Sequence, residues 1–168
     1  MIEAIVYTSK TGNTKEYARI LSEKTGLPYY SLKEVKNNNK CIDIIYLGWV
    51  MASSVQGYKD AMDKFNVKAI CSVGMSATGT MTKEVRNATR IPDSIPLFTL
   101  QGGFYISKLH GIFKIMIKLV TKKLIKDLSE KKDRTKDDDS MLNLMINGGT
   151  CVSEDNLKDV LKWYDSNK

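Results

Sequence analysis

Ile5-Val6-Tyr7-Thr8-Ser9-Lys10-Thr11-Gly12-Asn13-Thr14-Lys15-Glu16-Tyr17-Ala18-Arg19-Ile20-Leu21 is the stretch on which the fold turns. Residues 2–7 form a short apolar run, which reads as a strand buried on both faces. Asn13 or Thr14 then caps a helical pattern carrying Tyr17, Ala18, Ile20 and Leu21, and Gly26 ahead of Pro28 stops it. Four of the seven residues from Thr8 to Thr14 carry hydroxyls. A loop that leaves a strand and opens a helix gathers unpaired backbone N–H groups at the positive end of the helix dipole. That is an anion site, and phosphate suits it. The hydroxyls add donors, and Gly12 lets the backbone come close to a ligand. The run is neither the Gly-x4-Gly-Lys-Ser/Thr phosphate loop nor a Gly-x-Gly-x-x-Gly fingerprint. Ser, Thr, Gly and Asn also favour ordinary turns, so a plain capped turn is the competing reading.

Outward from this stretch, strands and helices alternate. An edge strand is expected at 28–32, where proline is tolerated, and a loop at 36–40. Strands are expected at 42–47, closed by Gly48, at 68–73, ending at Gly74, and at 96–100, ending at Gly102-Gly103. Helices fall at 56–65, 78–89 and 106–128. A charged loop follows at 130–140, then 141–146 as a strand or part of one, and a closing helix at 153–164 capped by Ser153. Alternation of this kind implies an α/β domain with a parallel sheet covered on both faces, one domain across 1–168.

The chain has 168 residues, 42% hydrophobic and 27% charged, which fits a soluble globular protein. Cys41, Cys71 and Cys151 are odd in number and include no Cys-x-x-Cys pair, against a disulfide framework or a zinc site. A reducing cytoplasm fits, with neither a signal peptide nor a membrane span expected. His110, the only histidine, has no Cys or carboxylate pair near it in sequence, so no metal site is expected.

The opening stretch resembles the flavodoxin signature throughout: two aliphatics, an aromatic, the Ser/Thr-rich loop, then Ala18 and Leu21 on the helix face that meets the sheet. The resemblance implies a three-layer flavodoxin-like fold, with a five-stranded parallel sheet in the order 2-1-3-4-5 and FMN at its carboxyl edge. It places the FMN phosphate on Thr8, Ser9, Lys10, Thr11, Gly12, Asn13 and Thr14. It places the flavin ring between the loops after the third and fourth strands, Gly48-Trp49-Val50-Met51-Ala52-Ser53-Ser54 and Gly74-Met75-Ser76-Ala77-Thr78-Gly79-Thr80. Both loops are rich in small residues, so backbone from Gly48, Trp49, Val50, Met51 and Ala52 and from Gly74, Met75, Ser76, Ala77 and Thr78 can frame a flat ring. Trp49 can stack on it, or simply pack. Carrier flavodoxins are usually acidic here, whereas neither loop holds an acid. The second reduction potential should therefore be less negative than in a carrier.

The net charge of +7 is a local feature. Residues 101–136 hold ten Lys/Arg and three acids, and 10 − 3 = 7. Lys114, Lys118, Lys122 and Lys126 recur every four residues along one face of the 106–128 helix. Leu109, Phe113, Met116 and Val120 are expected to pack on the sheet, while Ile112, Ile115 and Leu119 fall near the lysines. Such a helix suits an anionic membrane surface or an acidic partner, or else is an ordinary amphipathic cover with a solvated lysine face. No aromatics interleave with the lysines, against nucleic-acid binding. Leu100-Gln101-Gly102-Gly103-Phe104-Tyr105 and Phe113-Lys114-Ile115-Met116-Ile117-Lys118-Leu119 resemble the flavodoxin-like protoporphyrinogen oxidase branch, which is basic and peripheral to the membrane and passes electrons to quinone. The chain departs from that branch in Asp137-Asp138-Asp139, in Asn147-Gly148-Gly149-Thr150, and in Val50-Met51-Ala52-Ser53, where the branch has an Arg-Tyr-Gly-His type of segment.

The expected function is FMN-dependent electron transfer, with a redox protein or quinone as partner and no catalytic side chain. The first alternative is an oxidase at the inner face of the membrane. The second is a non-enzymatic module that holds another phosphate ligand.

Overall fold

The computed structural model describes residues 1–35 and 39–168, so the loop expected at 36–40 lies largely outside the described residues. Ala4–Thr8 forms β1, buried on both faces as its unbroken apolar run requires. Asn13–Thr25 forms α1, which turns Tyr17, Ala18 and Leu21 onto the sheet and ends at Gly26. Its cap is Gly12 at φ +105°, not Asn13 or Thr14, and no side chain covers the first turn. Tyr29–Ser31 is the edge strand β2.

Gly48 does not close the next strand. β3 runs over Asn39–Met51 and folds back as β4, Ser54–Val55, with Met51 opposite Ser54. Ala52 (φ 48°) and Ser53 (φ 60°) form the two-residue turn, whose twist matches that of the flanking strands. Sequence reading missed it because these turns usually carry Asn or Gly. Then come α2 (Tyr58–Lys64), β5 (Phe65–Gly74), α3 (Thr82–Thr89) and β6 (Leu97–Gln101). β5 begins at Phe65 because Phe65 and Val67 point inward while Asn66 and Lys68 point out, a period-two pattern. Gly57, before α2, takes φ +78°, and a Cβ there would collide with the hydroxyls of Tyr46 and Thr8.

The parallel strands lie in the order β2-β1-β3-β5-β6, which is 2-1-3-4-5 counted along the chain, with β4 hung antiparallel on β3. This is the expected α/β, flavodoxin-like arrangement. Two apolar layers sandwich the sheet. On one face Tyr17, Ala18 and Leu21 of α1 meet Ile5, Ile45, Leu47 and Cys71, with Leu157 and Val160 from the C-terminal segment. On the other, Tyr58 and Ala61 of α2 and Val85 of α3 meet Val6, Ile44, Tyr46 and Ile70.

Between β7 (Gly103–Phe104) and β8 (Gly149–Thr150), which pair antiparallel, the chain makes a helical excursion. A 3-10 turn at Ile106–Lys108 precedes α4, Gly111–Glu130, and α5 spans Lys136–Asn147. The charged loop expected at 130–140 and the strand expected at 141–146 are thus largely one helix. Its start is a capping box: Thr135 Oγ1 accepts the Asp138 N–H, and the Asp138 carboxylate accepts the Thr135 N–H. Three consecutive aspartates masked that signal. They sit in the first turn, where the helix dipole favours them.

α4 packs on α5 and on the turn before it, not across the sheet. Its inward side is Ile117, Thr121, Ile125 and Leu128. Leu109 is buried but belongs to neither apolar layer on the sheet, Met116 and Val120 are exposed, and the side chain of Phe113 lies outside the described ones. The chain closes with a 3-10 turn at Glu154–Leu157, capped by the Ser153 hydroxyl, and α6 at Lys158–Asp165.

Candidate functional site

Parallel strands deliver their carboxyl ends to one edge of the sheet, where β1, β3 and β5 release their loops. A cavity of about 520 Å³ lies there. The loop after β1 contributes Lys10, Thr11, Asn13 and Thr14 to its lining. The β3–β4 hairpin contributes Trp49, Val50, Met51, Ala52 and Ser53, and β5 with its following loop contributes Ser72 to Ala77. Twelve of the residues expected to hold a cofactor therefore share one cavity: Lys10, Thr11, Asn13, Thr14, Trp49, Val50, Met51, Ala52, Gly74, Met75, Ser76 and Ala77.

Five lie elsewhere. Thr8, Ser9 and Gly12 line a separate depression beside Lys15 and Lys33. The Thr8 hydroxyl is 2.8 Å from the Tyr46 hydroxyl, which is also 2.6 Å from the Gln56 carbonyl oxygen. Tyr46 has one proton, so donating it to the carbonyl leaves its oxygen to accept from Thr8. Burial pushes the Tyr46 phenol upward, so it stays protonated. Thr8 thus braces the loop from behind. Gly48 is glycine because a Cβ would strike Val55 Cγ1 and the Gln56 carbonyl across the hairpin. Thr78 is a fastener, its hydroxyl accepting the Gln101 N–H at 2.9 Å.

The anion loop keeps its donors open. Gly12 N–H donates to Ser9 Oγ at 3.2 Å, and the first helical bond is Glu16 N–H to the Gly12 carbonyl. Among the described residues no acceptor takes the N–H groups of Asn13, Thr14 or Lys15. Lys108 Nζ reaches the Thr11 carbonyl at 3.4 Å, which brings a cation over the loop. Among the described residues that line the cavity, Lys10 is the charged one and none is Asp, Glu or His.

Three parts of the site were not foreseen. The roof is apolar and comes from the excursion: Tyr105, Leu109, Ile117, Val120, Thr121 and Leu124, with Met141 and Met145 from α5. Ile117, Thr121 and Leu124 recur at helical spacing, a signal that reading α4 as a sheet cover concealed. Second, the wall below includes Thr99, whose buried Oγ1 has no hydrogen-bond partner and is the only such side-chain atom among the described residues. Third, the end of the helical excursion and the C-terminal segment are tied to α1. Thr150 Oγ1 donates to Asn13 Oδ1 at 3.0 Å, Tyr17 donates to the Gln101 carbonyl, and Asn156 Nδ2 donates to the Tyr17 oxygen at 2.6 Å. Burial raises the Tyr17 pKa above its ordinary value. His110, at the start of α4, is exposed, and no metal-binding cluster occurs among the described residues.

These features bear on whether FMN fits. Open amides at a helix N-terminus suit a phosphate. Walls of small and apolar residues suit a flat ring, at a volume typical of ligand sites. An orphaned hydroxyl in the wall is a group that a polar ligand edge would satisfy. On all three counts the residues present fit.

No protein-family model and no curated protein matches the chain. Among solved structures the chain is similar to one described as a flavodoxin from the domain Archaea, at 15% identity and a TM-score of 0.39, over 60% of this chain and 85% of that one.

Proposed function

We propose that this chain binds FMN at the carboxyl edge of its sheet and carries out electron transfer. The observation that carries the reading is the single cavity in which the anion loop after β1 meets the small-residue segments after β3 and β5. The amides of Asn13, Thr14 and Lys15, with the hydroxyls of Thr11 and Thr14 and the charge of Lys10, would hold the phosphate. Trp49 to Ala52 and Gly74 to Ala77 would frame the ring. The bound flavin supplies the redox chemistry. The chain's own residues bind it, orient it and exclude water, and among the described lining residues there is no Asp, Glu or His. A redox protein or a quinone would serve as partner.

One observation favours a second, narrower reading. The cavity extends beyond the sheet loops to an apolar roof, a surface that an apolar reductant could meet. That suits an oxidase of the protoporphyrinogen type.

The test is the visible spectrum of the protein reconstituted with excess FMN and desalted. Retained flavin bands near one equivalent support the reading. A colourless protein that also fails to quench added FMN overturns it and leaves a module whose anion loop takes another phosphate ligand. Turnover of protoporphyrinogen with a quinone acceptor separates the oxidase from a carrier.

A further inference from the structure

α4 has two apolar faces. Ile117, Thr121, Ile125 and Leu128 turn inward. At about 100° per residue, Ile112, Ile115, Met116 and Leu119 fall within an arc about 100° wide on the opposite side. There Ile112 is 86% exposed, Leu119 66% and Ile115 63%. Packing within the fold does not account for that stripe, because among the described residues nothing covers it.

Further along the helix the same outer side changes character. Lys122, Lys123 and Lys126 continue the arc, and Lys118 flanks it. From Gly111 to Lys126 there is no acidic residue. Lys126 lies 3.9 Å from Glu130 in an exposed pair, and among the described residues no ion pair engages Lys118, Lys122 or Lys123. The outer side of α4 is thus aliphatic for its first half and cationic for its second.

We infer that this side of α4 docks on an anionic lipid surface. Aliphatic side chains without polar atoms fit a fluid acyl region that needs no shape match, while the lysines reach headgroup phosphates with their stems laid along the apolar boundary. No described helix is long and apolar enough to cross a membrane, so α4 would lie in the interface. Charge argues against a second copy as occupant. The whole +7 excess sits in 101–136, and a second copy brings that excess again, while Asp138 and Asp139 of the neighbouring acidic turn are already paired with Lys131 and Arg134. Because the inner side of α4 roofs the cavity, docking would set the roof against the bilayer. The inference does not depend on FMN.

The test is sedimentation of the full-length protein with phosphatidylcholine vesicles, with and without about 30% phosphatidylglycerol. Binding is expected only with the anionic lipid, and should weaken steeply between low and high salt. Lys122→Glu/Lys123→Glu/Lys126→Glu should lower partitioning by at least about tenfold. Ile115→Ala/Leu119→Ala keeps the charge and should lower it several-fold. Both sets of side chains are exposed, so far-UV circular dichroism should be unchanged, which separates lost docking from lost folding. Equal binding to neutral vesicles, no binding to anionic ones, or dimerisation through the same residues in light scattering would each overturn the inference.

Discussion

Leu21 and Leu119 are both leucines on regular helices, yet Leu21 on α1 is wholly buried and Leu119 on α4 is two-thirds exposed. The contrast separates the sheet-borne walls of the cavity from its helical roof. In the walls every apolar face has a partner: α1 meets one side of the sheet, and α2 and α3 the other. In the roof, α4 is satisfied on one side only. Wall residues are explained by folding, whereas part of the roof needs a reason outside the fold.

The largest effect should distinguish the two leucines. Leu21→Ala should lose about 2–5 kcal/mol in urea unfolding, because it leaves a cavity in packed surroundings. Leu119→Ala should stay within about 0.5 kcal/mol. A large loss at Leu119 would mean that α4 is covered after all. A pair of glycines sharpens the same contrast. Gly57 combines φ +78° with immediate contact to Tyr46 and Thr8, and Gly57→Ala should cost about 3 kcal/mol. Gly111, at φ +61° with open space around it, should cost only about 1 kcal/mol as alanine.

Legibility followed the same division. The first strand, its loop and α1 could be read because apolar run, hydroxyl-rich turn and helical spacing agree over residues 5–21. The sheet order followed from strand–helix alternation. The β3–β4 hairpin could not be read, since its turn is Ala52-Ser53 at positive φ without glycine. Such strain recurs where loops serve a ligand. α5 was hidden because Asp137, Asp138 and Asp139 look like a solvated loop until Thr135 is seen as the cap. In the site, the hydroxyl and small-residue segments were legible. Thr8 and Thr78 were not separable from their neighbours, because only the fold shows their hydroxyls turned to Tyr46 and Gln101.

Two smaller effects probe roof and wall separately. Thr135→Ala should raise hydrogen exchange over the first turn of α5, a local loss of about 1 kcal/mol. The same turn should loosen in acid. The Lys131 ammonium beside Asp138, and the Thr135 groups bonded to it, hold its carboxyl at about 2, below its ordinary value. A lowered carboxylate pKa gives stabilisation that is full above about pH 4 and is lost as pH falls toward about 2. Asp138→Asn should abolish that dependence in exchange measurements. On the wall side, the described lining of the cavity carries no carboxylate. A flavin held there should therefore have a second potential less negative than in an acidic carrier. Ala77→Glu should lower it by on the order of 50 mV in a redox titration. An unchanged potential would place the ring away from that loop.

On the proposed reading the anion loop and the cavity hold one ligand, FMN. Fluorescence titration of FMN against riboflavin, which lacks the phosphate, addresses it most directly. Quenching at one equivalent, with FMN held about a hundredfold more tightly than riboflavin, is the predicted result, because the two differ by charge-assisted bonds to the loop. Equal affinities, or no quenching by either, would contradict it.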